Sequence, residues 1–329
     1  MAAYKTLKGQ SIRQVSSDPT NPQIGEIWYN TVVGSLRGYI NSGAAFSSGG
    51  SMLLASRGIA GTGTKTATLG FGGNATPGGI TDKTQEYGGL NWSEGGNMGT
   101  GRAYLAGFGT QTAGVAAGGY VSAPNRFLNA TEEYNGSSWT SGGNMGTGRD
   151  ILSGTGTETA GLIFGGFTPG NTGKTEKYDG SSWSETGDLS TARRGAGRAG
   201  TQTAALAFGG DGPSGSPSLL SSMEVFGGTS WTSGPALVYA VEGMGSGGTS
   251  TSAVSIGGNK SGITADTLQY DGTSWTTASG SLAIARADMG SGCSSNTSGV
   301  VFGGYSPGTT TATEEFSDPL NQVKTITTS

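Results

Sequence analysis

With no histidine among its 329 residues, this chain lacks the usual general base, the usual member of a nucleophile triad and the commonest protein metal ligand. What remains for chemistry is sparse. Glu132-Glu133 and Glu314-Glu315 are adjacent carboxylates, but neighbours on a strand point to opposite faces and cannot share one site. Cys293 is the single cysteine, so it has neither an internal disulfide partner nor a second thiol with which to hold a metal. A Gly-x-Gly-x-x-Gly match at Gly195, Gly197 and Gly200 has no helix after it to offer its N-terminus to a pyrophosphate. Triplets such as Asn135-Gly136-Ser137 follow from the abundance of Asn, Ser and Thr, and read as turns. The expectation is a non-enzymatic chain with no catalytic residue, metal site or cofactor.

The formal charge is −4 and the lysines and arginines are scattered, so nothing marks a surface for a phosphate backbone, and nucleic acid is not an expected partner. The N-terminal segment lacks the apolar core of a signal peptide, and no apolar run approaches the ~18 residues of a membrane span. These features predict a soluble chain, made in the cytoplasm and not inserted in a membrane.

The elements that would position any site are β-strands. Gly contributes 65 residues without a collagen period, and charged residues make up only 12%, a balance suited to an all-β fold with many tight turns. Six Gly-Gly pairs, each after a short apolar run, recur at Gly72, Gly118, Gly165, Gly209, Gly257 and Gly303 with spacings of 46, 47, 44, 48 and 46 residues. Trp92, Trp139, Trp183, Trp231 and Trp275 keep the same period, and Phe46 takes the tryptophan position ahead of the first unit. Each unit runs from an Arg-bearing segment through a Gly-Thr turn, an apolar strand ending in Gly-Gly and a variable loop to Glu-Tyr and Trp. The turns before Trp carry Asn-Gly, Asp-Gly or Gly-Gly, as tight hairpins require.

Arg, then an apolar strand with Gly-Gly, then Glu-Tyr-(Asp/Asn)-Gly and Trp resembles the Kelch repeat, whose period is ~50 residues. The resemblance implies an all-β, six-bladed Kelch-like β-propeller over residues 38–316, with an N-terminal anchor and hairpin at 1–37 and a tail at 317–329. The last unit has no Trp strand after Phe316, so an opposite-terminal strand, Gly38 to Phe46, is expected to close the ring; the tail is the alternative. Copper chemistry of the galactose-oxidase kind, known on Kelch propellers, needs histidine ligands. Sialidase Asp-boxes have a spacing this chain lacks. Arg57, Arg102, Arg149, Arg193 and Arg286 are expected to pair, in the framework, with Glu86, Glu133, Glu176, Glu224 and Glu315. The fifth unit, with Val241 and Gln269 at these positions, lacks both partners.

Residues 26–29 and 36–39 read as a hairpin around Gly34. Its Gly-Glu-Ile-Trp-Tyr-Asn core resembles a hairpin of bacteriophage tail, fibre and baseplate-associated proteins, and Kelch-like chains of this composition are similar to structural proteins of marine bacteriophages. That resemblance implies a virion location, with Ile24, Ile27, Trp28 and Tyr29 anchoring the chain to other virion proteins. A rigid scaffold with variable loops is a usual binding platform. The loops after Gly-Gly present Asn125, Arg126, Phe127, Phe167, Asn171, Asp211, Asn259, Lys260 and Tyr305, side chains suited to stacking on and hydrogen-bonding a sugar. The leading expectation is a virion structural or adaptor protein; a host-glycan or receptor-binding propeller and a cellular Kelch interaction module are the alternatives, and a homo-oligomer stays open.

Overall fold

A computed structural model describes residues 12–20, 22, 26–40, 43–122, 126–213, 218–318 and 322–326. It divides into a unit formed by Met1–Ala44 with Asp318–Ser329, and a second unit, Ala45–Ser317. No helix occurs among the described residues.

In the first unit Ile27–Asn30 pairs with Ser35–Ile40 as an antiparallel hairpin, Arg13–Val15 adds in parallel on one side, and Gln322–Thr325 pairs with Ser35–Ile40 on the other. The tail therefore joins the N-terminal sheet, and the hairpin takes in residues assigned by sequence to the repeats. Trp28 is fully buried, and its Nε1 donates to Asp18 Oδ1 at 2.9 Å beside a second donor, Asn30 Nδ2. These two bonds hold the Asp18 carboxyl below its ordinary pKa. Asn30 Oδ1 accepts the Val32 and Val33 N–H groups and closes the turn. Of the expected anchor residues, Ile24 lies outside the described residues and Trp28 is spent on the unit's own core. Among the described residues of this unit, the large apolar groups exposed on the surface are Ile27, Val32 and Val33.

The second unit holds six four-stranded antiparallel sheets among the described residues. Sheet I consists of Ala60–Thr64, Ala67–Phe71, Thr84–Tyr87 and Trp92–Glu94, each hydrogen-bonded to the next. Sheets II to V repeat this pattern over 106–141, 153–185, 197–234 and 245–277. Sheet VI takes Gly290–Ser295, Ser298–Phe302 and Thr313–Ser317, and its fourth strand is Ala45–Ser48, with Phe46 opposite Phe316. An N-terminal strand thus completes the last sheet, but it begins later than the Gly38 expected from sequence. The second strand of each sheet is apolar and buried, as a strand covered on both faces must be.

Each tryptophan packs on a phenylalanine of the preceding sheet: Trp139 on Phe71, Trp231 on Phe164 and, from sheet I back to sheet VI, Trp92 on Phe302. For four of the five the indole N–H is satisfied there by a threonine that opens the third strand, as in Trp92 to Thr313 at 2.9 Å, while Trp275 donates to the Met223 sulfur that takes the threonine's place. Tyr87 likewise donates to Glu315 of sheet VI. The Gly-Gly pairs tie successive sheets by main chain. The second glycine of each pair donates its N–H, at 2.8–2.9 Å, to the carbonyl at the arginine position of the next segment, from Gly73 to Arg102 through to Gly304 to Ser56. The first glycine has positive φ, and a Cβ on it would stand 2.4–2.7 Å from that same oxygen. Any side chain there would push neighbouring sheets apart.

Candidate functional site

Two residues beyond the arginine position, each segment turns through left-handed backbone: Gly58, Tyr104, Ile151, Gly195, Gly243 and Asp288 have φ between 51° and 62°. Their main chains form a closed ring. Tyr104 N–H donates to Gly58 O, Ile151 to Tyr104, Gly195 to Ile151, Gly243 to Gly195, Asp288 to Gly243 and Gly58 to Asp288, at 2.7–3.0 Å. Three members are glycine, for which this conformation carries no steric penalty, and three are not; for a β-branched residue such as Ile151 it is an outlier. Such outliers persist where the surroundings over-determine them, commonly at ligand sites.

The residue before each ring member pairs with the residue after Gly-Gly. These bridges join Arg57 to Asn74, Ala103 to Tyr120, Asp150 to Phe167, Arg194 to Asp211, Glu242 to Asn259 and Ala287 to Tyr305. They place unlike side chains around one mouth. A cavity of about 330 Å³ opens there, walled by Tyr104, Ile151, Arg194, Glu242, Asn259, Asp288 and Tyr305 among others.

Burial dominates the electrostatics of this rim. It pushes the Asp288 carboxyl above the usual carboxylate range against the pull of Arg57 and a hydrogen bond with Tyr104. Burial and the neighbouring Asp211 raise Glu242, with Arg194 opposing. Asp150, 4% exposed, is pushed up to about 6 by burial, although Arg126 and Arg194 favour its charged form. Tyr104 rises to about 12 through burial and the Asp288 charge. Asp150 Oδ1 and Asp211 Oδ1 are buried without a hydrogen-bond partner. In the cavity itself, the Glu242 and Asp288 carboxyls, whose neutral forms burial favours, the Asn259 amide and two tyrosine rings suit a neutral ligand rich in hydroxyl or amide groups.

Of the loop residues expected from sequence, Asn259 and Tyr305 line this cavity, with Arg57 lying over the Tyr305 ring. Arg126, Phe127 and Phe167 form an aromatic patch, in which Phe127 and Phe167 meet edge to face, Arg126 covers Phe127, and the cavity residue Arg194 lies over Phe167. Asn171 donates to the main chain at Asp211 and Gly212. Asp211 pairs with Arg194 at 2.8 Å, and Lys260 pairs with Asp266. Asn125 lies outside the described residues. Tyr104, Ile151, Arg194, Glu242 and Asp288 were missed. For Tyr104, Ile151 and Asp288 the sequence signal was a departure from the glycine that three other units keep at the same place.

Of the five expected framework pairs two form as expected, two are displaced by one residue and one does not form. Arg149 pairs with Glu176 at 2.9 Å and Arg193 with Glu224 at 3.0 Å. Arg102 pairs with Glu132 rather than Glu133, and Arg286 with Glu314 rather than Glu315. All four arginines are fully buried, and each of the four carboxylates also accepts a main-chain N–H, as Glu176 does from Gly146 at 2.7 Å. Glu133 and Glu315 point to the other face and accept tyrosine hydroxyls from Tyr178 and Tyr87. Arg57 does not pair with Glu86. Ser56 occupies the arginine position, donating to Gly72 O, while Gln85 takes the carboxylate's place and accepts the Leu53 N–H. Glu86 accepts the Tyr134 hydroxyl. Sheet V has Val241 and Leu268 at the paired positions, not Val241 and Gln269.

No protein-family model and no curated protein matches the chain. Among solved structures it is similar to that of YjhT, with 14% identity, a TM-score of 0.66, and coverage of 83% of this chain and 99% of that one. At that identity the likeness shows the fold alone, which is all-β and propeller-like.

Proposed function

We propose that Ala45–Ser317 is a six-bladed Kelch-like β-propeller acting as a non-enzymatic binding module of a bacteriophage virion, held to other virion proteins by the N-terminal unit. Its Gly-Gly face binds a neutral, polyhydroxylated ligand such as a host-surface glycan. The observation that carries the binding reading is the placement of Tyr104, Ile151 and Asp288 in left-handed backbone around the 330 Å³ cavity. A framework free to use glycine at all six positions accepts strain where side chains face a ligand. The closed ring of main-chain hydrogen bonds supports the six-bladed reading, and the hairpin at 27–40 supports the virion reading.

The full chain should bind a subset of neutral glycans on an array, and Tyr104→Gly with Asp288→Gly should lower that binding at least tenfold with little change in folding. Unchanged binding by this variant would rule the mouth out. For attachment, particles made with a chain lacking residues 1–30 should not carry the protein; normal incorporation would refute the anchor.

A further inference from the structure

A second cavity, of about 150 Å³, lies on the far side of the ring and is lined almost entirely by the first strands of the six sheets. At one equivalent position these strands carry Gly61, Gly107, Gly154, Arg198, Ser246 and Ser291, as their pairing with the second strands shows. Five are small; the sixth is an arginine. Arg198, on sheet IV, reaches across to sheet I, three places away around the ring, where Nη2 donates to Gly61 O at 2.9 Å. It lies between this cavity and a narrower one of about 80 Å³ under the ring. Among the described residues that carbonyl is its single side-chain hydrogen-bond partner, and no carboxylate forms an ion pair with it. The acidic group acting on it is the Cys293 thiol, which burial pushes up to about 12 and so keeps neutral.

The chain supplies its own standard for judging that arrangement. Arg102, Arg149, Arg193 and Arg286 are each fully buried against a glutamate. Where the cation is absent, at Ser56 and Val241, the partners are Gln85 and Leu268. In these six segments a guanidinium is never placed in the interior without an anion, as the cost of an unpaired buried charge requires. Arg198, half-buried where those four are fully buried, has no carboxylate partner among the described residues, and it stands beside open volume. Its remaining N–H groups face space made by glycines and by the hydroxyl-bearing residues Thr62, Thr155, Ser246 and Ser291. The Thr62 and Thr155 hydroxyls donate to Gly109 O and Gly200 O, so the guanidinium is the channel's chief free donor.

We infer that this channel is a binding site for a small oxyanion of the size of phosphate or sulfate, with Arg198 as its counter-charge. A planar guanidinium with free parallel N–H groups is the side chain suited to an oxyanion. Desolvation, which holds Arg198 below the ordinary arginine pKa, is relieved when an anion arrives. The site is distinct from the Gly-Gly face, and its test does not depend on the ligand proposed there.

The full chain, freed of phosphate and sulfate, would be titrated with inorganic phosphate against sodium chloride at matched ionic strength. Phosphate should raise the unfolding midpoint saturably, as a ligand of the folded state does. Arg198→Gln should abolish the rise, and Arg198→Lys should keep a weaker one. In the unmodified protein, phosphate should slow methylthiolation of Cys293 at least threefold, a readout that needs no variant to fold. A full phosphate response in Arg198→Gln would overturn the site, as would an unmodified protein with neither a midpoint shift nor thiol protection.

Discussion

The Arg102 guanidinium is bound to the Glu132 carboxylate, while the adjacent Glu133 points to the opposite face and accepts the Tyr178 hydroxyl of the next sheet. Two chemically identical neighbours therefore do different work. Glu132→Gln leaves a buried cation without its anion and should cost about 3–5 kcal/mol. Glu133→Gln keeps a carbonyl acceptor for Tyr178 and should cost about 1 kcal/mol or less. Urea denaturation of the two variants decides the register; equal losses would contradict it.

Sheet V replaces the ion pair by Val241 and Leu268, which makes it a template for the others. Arg193→Val alone strands Glu224 and should be strongly destabilising. Adding Glu224→Leu should recover about 1 kcal/mol or more relative to the single variant. Additivity of the two changes in a double-mutant cycle would mean that the charges do not couple.

Asp150 ties the mouth to pH. Its folded pKa, about 6, exceeds the unfolded value near 3.9, so the folded chain holds the proton more tightly. The stability this provides is full below the unfolded value and is lost as pH rises through about 4 to 6. Asp150→Asn does not titrate. Its stability relative to the unmodified chain should therefore improve between pH 4 and pH 7, by up to about 2 kcal/mol. A difference that stays flat across that window would show that Asp150 titrates normally.

Left-handed backbone at Ile151 costs about 1–2 kcal/mol for an L-residue, and glycine there loses about 0.5–1 kcal/mol through chain entropy. Ile151→Gly should consequently leave stability within about 1 kcal/mol. Gly165→Ala is the contrast, because its φ is +66° and the new Cβ would meet Arg193 O at 2.5 Å. It should cost more than about 2 kcal/mol. Thermal unfolding of the pair separates a rim position open to side chains from one closed to them.

The repeat period, the apolar strands, the Gly-Gly pairs and the tryptophans were legible in the sequence because each is a local pattern imposed by one physical need. The register of the charges was not. Glu132-Glu133 and Glu314-Glu315 offer the same side chain twice, and only the pleat decides which member faces the arginine. Ahead of sheet I Arg57 masqueraded as the framework cation, although Ser56 holds the place. The candidate site was half legible: Asn259 and Tyr305 follow Gly-Gly directly, whereas Tyr104 and Asp288 enter the mouth from the segment before the next sheet. Arg198 was hidden by the glycines around it, since nothing in one strand reports what stands across the axis.

The ring through Gly58, Tyr104, Ile151, Gly195, Gly243 and Asp288 uses main-chain atoms alone, with every amide pointing the same way around the circle. Dipoles arranged head to tail in a closed loop cancel, unlike those of a helix, whose aligned peptides leave partial charges at its ends. The ring's main chain therefore adds no net dipole to the aperture. Its diameter is set by the number of segments and not by their residues, so whatever passes or lodges there is sorted only by the side chains that each segment happens to carry.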